Sequence, residues 1–196
     1  MKLVTTTLPG VLLVEPAVFG DDRGWFMESF NEARFDAALE DIGLPLPRRF
    51  VQDNHSSSKA GVLRGLHYQL PPHAQGKLVR VVRGAAFDVA VDIRRGSPTF
   101  GRWAGAMLDA TNQRQLWIPE GFAHGFLALE DDTHFLYKTT DVYARDHERS
   151  LLWNDPAVAI VWPLIAGLAG PLVAAKDAAA PGLADVAAAD LPPFGG

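Results

Sequence analysis

Gly61-Val62-Leu63-Arg64-Gly65-Leu66-His67-Tyr68 is the stretch that decides how the rest of the chain is read. Val62, Leu63 and Leu66 mark a short buried strand, broken by Gly61 and Gly65. The same strand carries a guanidinium at Arg64 and an imidazole at His67. Such groups are costly on a core strand unless they are paired, so the strand reads as part of a site as well as part of a core. Arg64 and His67 lie three positions apart, which places them on opposite faces of a regular strand. Both reach one site only if the strand bulges, and Gly65 is where a bulge forms most easily. The spacing therefore predicts irregular pairing at Gly65.

Outward from this strand, short strand-like runs alternate with turn residues. Residues 50–56, 62–69, 77–83, 87–94, 103–108, 115–118, 123–129 and 133–140 are the candidate strands, most of them separated by Gly, Pro, Asp or Asn. This spacing predicts an all-β fold, an antiparallel sandwich or barrel. Asp88-Val89-Ala90-Val91-Asp92-Ile93 alternates cleanly and has one polar face. Upstream, residues 11–18 read as a strand, 20–24 as a turn and 25–30 as a second strand. Asn31 fits a helix N-cap, Phe35, Ala38, Leu39 and Ile42 share one helical face, and Gly43 with Pro45 ends the helix. Residues 165–196 are rich in Ala, Gly and Pro and read as a peripheral helix or extended arm with a disordered end. With no repeat and no linker, residues 1–196 read as a single domain, its core at about 1–163 and an arm over 164–196.

Composition narrows the function classes. The 196 residues are 48% hydrophobic and 21% charged, with eleven Phe and five Trp to fill a β-rich core. A net charge of −5 gives no general attraction to nucleic acid or to an anionic membrane surface. Without cysteine there is no disulfide framework and no thiolate chemistry. The first residues contain no apolar signal core, and no run reaches membrane-spanning length, so a cytoplasmic enzyme is expected. No Walker or dinucleotide glycine loop and no Gly-x-Ser-x-Gly elbow occurs.

Several residues have two readings from the sequence alone. His67 and His124 are either core histidines bonded to the backbone or members of one shared site. Lys77, after Gly76, is a solvated strand end or a functional cation; Tyr137 is a cross-strand aromatic or an acid. Arg23 and Glu28 flank a hairpin and could form only a surface ion pair of small energetic weight. Metal chemistry has a weak basis. Gly61 to His67 resembles the first metal motif of cupins, and Pro119-x-Gly121-x-x-His124 resembles the second. Gln69 stands where the next histidine ligand belongs, His73 where a glutamate belongs and Ala128 where an asparagine belongs.

Taken together, Phe19-Gly20-Asp21-Asp22-Arg23-Gly24-Trp25-Phe26-Met27-Glu28, Gln52-Asp53-Asn54-His55-Ser56, the segment from Gly61 to Gln69, Gln75-Gly76-Lys77, Gly96-Ser97-Pro98-Thr99-Phe100-Gly101, Pro119-Glu120-Gly121-Phe122-Ala123-His124-Gly125-Phe126 and Tyr137-Lys138-Thr139-Thr140 resemble the dTDP-4-dehydrorhamnose 3,5-epimerases. The resemblance runs in order over residues 1–163. It implies a metal-free cupin jelly roll with a few short peripheral helices, no cofactor, and a homodimer with strand exchange between subunits. It also implies an isomerase acting on a dTDP-linked 4-keto-6-deoxy sugar, dTDP-4-dehydro-6-deoxy-D-glucose, in dTDP-L-rhamnose biosynthesis. By the same resemblance His67 is the base, Asp177 its carboxylate partner, Lys77 the stabiliser of the enolate and Tyr137 the acid on the other face. Substrate contacts fall to Arg23, Glu28, Gln52, Asp53, Asn54, Arg64, Lys77, His124, Glu148 and Lys176, with Tyr143 stacked on the thymine. Other readings are an epimerase acting at C3 or C5 only, a metal-dependent cupin using His67, His73 and His124, and a carbohydrate-binding cupin without catalysis.

Overall fold

The computed structural model describes residues 1–195. In chain order its strands are β1 (Lys2–Thr5), β2 (Leu12–Glu15), β3 (Val18–Asp21), β4 (Gly24–Met27), β5 (Gln52–Ser58), β6 (Val62–Gln69), β7 (Lys77–Arg83), β8 (Ala85–Asp92), β9 (Trp103–Asp109), β10 (Gln115–Ile118), β11 (Phe122–Ala128), β12 (Thr133–Thr139), β13 (Glu148–Ser150) and β14 (Leu172–Val173). The helices are α1 (Glu32–Asp41) and the single turn α2 (Ala175–Ala178). One sheet has the order β1-β2-β10-β7-β12-β5; the other has the order β13-β6-β11-β8-β9, with β14 beside β6. All pairings between these strands are antiparallel except that of β14 with β6.

The period-two alternation of side chains sets what lies between the sheets. Val79 and Val81 of β7, Phe135 of β12, Ala86 and Ala90 of β8, and Phe122 and Phe126 of β11 form the interior cluster. Phe126 and Phe135 stack across the gap with centroids 3.9 Å apart. The intervening residues Val89, Val91 and Ala123 belong to a second cluster on the outer face, with Leu66, Tyr68, Leu151 and Leu183. The polar face of 88–92 is thus the inner one.

Helix α1 covers the outer face of the first sheet. Asn31 accepts a hydrogen bond from the Arg34 backbone N–H at 3.2 Å and caps the helix. Phe35 and Leu39 are buried against Leu12, Val14, Leu78 and Trp117. Edge contacts of Trp117 with Phe35 and Phe50 lock this layer.

The bulge in β6 is present. His67 pairs with His124, yet Arg64 pairs with Phe126, so three steps on β6 match two on β11. Gly65 has φ +132°, and a Cβ there would meet the Gly125 Cα at 2.5 Å. Because Phe126 and His124 both point inward, the extra residue brings Arg64 and His67 to one face. Leu63 and Leu66, at 1% and 0% exposure, take the buried positions.

Four expectations need correction. The run 11–18 is two strands, because Pro16 lacks the N–H that would continue the ladder. The strand expected over 25–30 ends at Met27, and the turn expected over 20–24 narrows to Asp22 and Arg23, with Gly20, Asp21 and Gly24 inside the hairpin strands. The arm does not end in disorder among the described residues. Leu172 N–H donates to the Gly61 carbonyl at 2.7 Å, Leu168 fills the space that a Cβ on Gly61 would occupy, and Phe194 lies under the Arg94 guanidinium.

Candidate active site

The site is built around the irregularity in β6. Strand β13 pairs with residues 67–69 of β6, and β14 with Val62 and Leu63. Between them the Gly65 N–H has no ladder partner and donates to Asp177 Oδ2 at 3.3 Å. Helix α2, directly after β14, delivers that carboxylate, and its other oxygen lies 2.7 Å from His67 Nε2. Burial pushes the Asp177 carboxyl up, but the His67 bond and charge, the Gly65 N–H and the nearby Lys176 outweigh it and hold the group below the usual carboxylate range. An ionised Asp177 accepts from Nε2–H, so the lone pair of His67 is on Nδ1.

The opposite sheet supplies the other candidates. Lys77 is buried, and its Nζ donates to the His67 carbonyl at 3.2 Å. Desolvation lowers its pKa to about 8, against the pull of Asp88 and Glu148. Tyr137 faces inward from β12 beside Phe135. Burial raises its phenol, offset by Arg64 and reinforced by Glu148, so it stays protonated through neutral pH. On the floor, His124 Nε2 lies 2.9 Å from Asp88 Oδ2. Desolvation pushes the His124 imidazole towards its neutral form, with Lys77 and His67 adding to the effect and Asp88 opposing it.

At the rim, Glu148 accepts from Lys176 Nζ at 2.5 Å and from the Tyr143 hydroxyl at 3.1 Å. Arg64 donates to Ser58 Oγ and to the Ser57 carbonyl, with its guanidinium otherwise exposed. Gln52 and Asn54 occupy inner positions of β5, in register with Thr139 and Tyr137. His67, Lys77, Tyr137, Asp177, Arg64, His124, Gln52, Asn54, Tyr143, Glu148 and Lys176 thus line or border one interior.

Three candidates lie elsewhere. Asp53 is on the outer face of β5, paired with Lys138 at 2.8 Å. Arg23 sits at the tip of the β3–β4 hairpin and pairs with Asp21, while Glu28 binds Asn31 and Arg34 at its base. Asp88 is the residue that sequence reading missed. Its signal was a carboxylate alternating with alanine on a strand, and it is 0% exposed. Among the described residues no group of three or more His, Cys, Asp or Glu side chains is placed to hold a metal ion. His73 lies against His147 and Asp141 instead.

Comparison with known proteins shows the family. The family model for dTDP-4-dehydrorhamnose 3,5-epimerase matches residues 5–185. The Shigella flexneri dTDP-4-dehydrorhamnose 3,5-epimerase is 56% identical over 177 residues, covering 90% of this chain and 93% of that protein. The Pseudomonas aeruginosa enzyme of the same name is 56% identical over 185 residues, covering 94% and 97%. The crystal structure of dTDP-6-deoxy-D-glucose-3,5-epimerase from Legionella pneumophila Philadelphia 1, in complex with dTDP-4-keto-L-rhamnose, superposes with a TM-score of 0.90 at 47% identity, covering 100% and 99%. The fold is the cupin-type jelly roll that the resemblance implied. The chain belongs to the dTDP-4-dehydrorhamnose 3,5-epimerase family.

Proposed function

We propose that the chain epimerises dTDP-4-dehydro-6-deoxy-D-glucose at C3 and C5 to give dTDP-4-dehydro-L-rhamnose. The observation that carries this reading is His67 on one sheet, paired at 2.7 Å with Asp177 of α2, with Lys77 and Tyr137 on the opposing sheet. The C4 ketone acidifies the hydrogens on C3 and C5. His67 Nδ1 takes one of them, the C–H electron pair passes to the C4 oxygen, and the Lys77 ammonium stabilises the enolate. Tyr137 then gives its phenolic proton to the other face of the carbon, and solvent exchange resets both groups. The cycle repeats at the second carbon and needs no cofactor.

The nucleotide end fits the rim. Arg64 suits the diphosphate, because a guanidinium pairs with phosphate oxygens through two N–H groups. Tyr143 suits the thymine face. His124, Gln52, Asn54, Glu148 and Lys176 hold the sugar and nucleotide by direct contact or through one another. Incubation with the ketosugar should give proton NMR couplings inverted at C3 and C5, with dTDP-glucose, which lacks the ketone, left unchanged. Inversion at one carbon only would assign a mono-epimerase; no change in a folded protein would remove the reading.

Arg23 and Glu28 call for a second copy. Their hairpin exposes Phe19 at 67%, Trp25 at 58% and Phe26 at 72%, and strand β5 ends its sheet with a free edge. Docking the hairpin of one protomer beside the site of the other buries these rings and brings Arg23 within reach of the diphosphate. Sedimentation equilibrium should therefore give twice the 21.2 kDa chain mass. A monomer at micromolar concentration would contradict the exchange. A water-soluble nucleotide sugar as substrate carries a cytoplasmic location with it. No helix among the described residues is long and apolar enough to cross a membrane.

The buried lysine gives the reading a pH signature. Lys77 acts as a cation, so kcat/KM should fall about tenfold per unit as pH rises beyond its pKa of about 8. The linkage sign separates this from unfolding. With the folded pKa below the unfolded value, the folded state releases the proton first, and the contribution of Lys77 to stability rises with pH from about 8 upward. Activity lost above pH 8 with a parallel loss of fold would contradict the assignment.

A further inference from the structure

Between β12 and the 3₁₀ turn Arg145–His147 the chain has no helix or strand, yet this segment carries Tyr143. A loop of this kind must still satisfy its backbone groups, and here side-chain amides do so. Gln75 Nε2 donates to the Asp141 carbonyl at 2.8 Å. Gln69 Nε2 donates to the Val142 carbonyl at 3.1 Å and to the His73 carbonyl at 2.7 Å. Tyr143 N–H donates to Gln52 Oε1 at 3.0 Å, and Ala144 N–H to Gln69 Oε1 at 2.8 Å. The remaining Gln52 donor goes to Asn54 Oδ1 at 3.0 Å. Four consecutive residues thus have a backbone group held by glutamine.

The three amides come from different parts of the fold. Gln52 is on β5 of one sheet, Gln69 on β6 of the other, and Gln75 lies just before β7. Together they span the mouth of the interior. An amide offers both a donor and an acceptor, as a neighbouring strand would, and it adds no charge. A carboxylate at Gln69 would put an oxygen in the place of Nε2, against both the Val142 and the His73 carbonyls. Gln69 also stands where a metal cupin would carry a ligand, and its buried amide is occupied by the loop and the His73 carbonyl.

We infer that Gln52, Gln69 and Gln75 are positioning residues for nucleotide recognition. They hold the 141–144 backbone so that the half-exposed Tyr143 ring is presented before ligand arrives. This rests on the reading of Tyr143 as the surface that meets the base. A ring fixed in advance avoids the ordering cost that a loose loop meets on binding. Gln52 then acts through Tyr143 and Asn54, since both ends of its amide are engaged within the protein.

The test is a double-mutant cycle on dTDP binding, measured by calorimetry with full-length protein. Gln75→Met and Gln69→Met should each weaken dTDP about tenfold with Tyr143 present, and less than about twofold in a Tyr143→Ala background. Gln75→Met, at a half-buried position, should keep kcat within about twofold. An equal loss in both backgrounds, or no loss in either, would overturn the inference. Hydrogen exchange on unliganded protein tests the cradle apart from the function. The Ala144 amide should lose protection in Gln69→Met, and retained protection would overturn the cradle itself. A wild-type protein that binds no dTDP would instead overturn the nucleotide reading beneath it.

Discussion

His67→Asn lowers turnover of the ketosugar about 10⁴-fold and stops solvent exchange at both C3 and C5. The size of the effect follows from the geometry. His67 is held by one carboxylate at 2.7 Å and presents its other nitrogen to the interior. Its strand neighbours inward are Arg64, which is committed to Ser57 and Ser58, and Gln69, which is committed to the 142–144 backbone. His124 is tied to Asp88 through Nε2 and lies deeper. Among the inward neighbours described, His67 alone combines an unengaged ring nitrogen with a half-buried position. Asp177→Asn gives a smaller loss, because an amide no longer favours the Nδ1 lone pair although the imidazole remains. The check is proton exchange in deuterated water beside steady-state turnover. Exchange persisting in His67→Asn at more than a hundredth of the wild-type rate would move the base elsewhere.

Tyr137→Phe gives the second large effect, and a different one. Turnover to inverted product falls about 10²- to 10³-fold, while hydrogen exchange at the carbon next to the ketone persists. The base and the lysine are untouched, so the enolate still forms. What is lost is the donor on the opposing sheet, where burial keeps the phenol protonated. The proton then returns from the face it left, and the substrate regains its starting configuration carrying deuterium. The ratio of exchange to epimerisation is the readout. If both fall together, Tyr137 serves binding or enolate formation instead of opposite-face return.

Much of this architecture is legible in the chain. The strands Val62–Gln69, Lys77–Arg83 and Gln115–Ile118 follow from apolar runs bounded by Gly, Pro or Asn. The bulge follows from two polar residues at an odd spacing with glycine between them. The helix follows from its cap and its apolar face. Less legible are elements that exist only through partners distant in sequence. Strand β14 is two residues in an Ala- and Gly-rich arm, and it forms because the edge of β6 is open there. The arm is ordered because Leu183 joins the outer cluster and because the 94–95 turn binds the 192–194 backbone.

The site divides in the same way. Local motifs carry His67, Lys77, Tyr137 and His124, whose strands put them inward by simple alternation. Asp88 was visible as a polar position, but its service to His124 depends on the β8–β11 register. The opposite facing of Asp53 and Asn54 is implied by their adjacency on one strand. The glutamine cradle is invisible in sequence, because Gln52, Gln69 and Gln75 meet only around a loop 66 to 91 residues further on. Arg23 is isolated because it sits on a hairpin whose Phe19, Trp25 and Phe26 rings are exposed, with Asp21 of the same hairpin as its ion-pair partner.

The most direct test is the mass of the product formed in deuterated water. In the proposed mechanism two carbons each lose a hydrogen to His67 and regain one from the exchangeable Tyr137 phenol. The product should therefore carry two solvent deuterons, one at C3 and one at C5, both in inverted configuration. Inverted product without solvent deuterium would contradict proton abstraction and return by these residues.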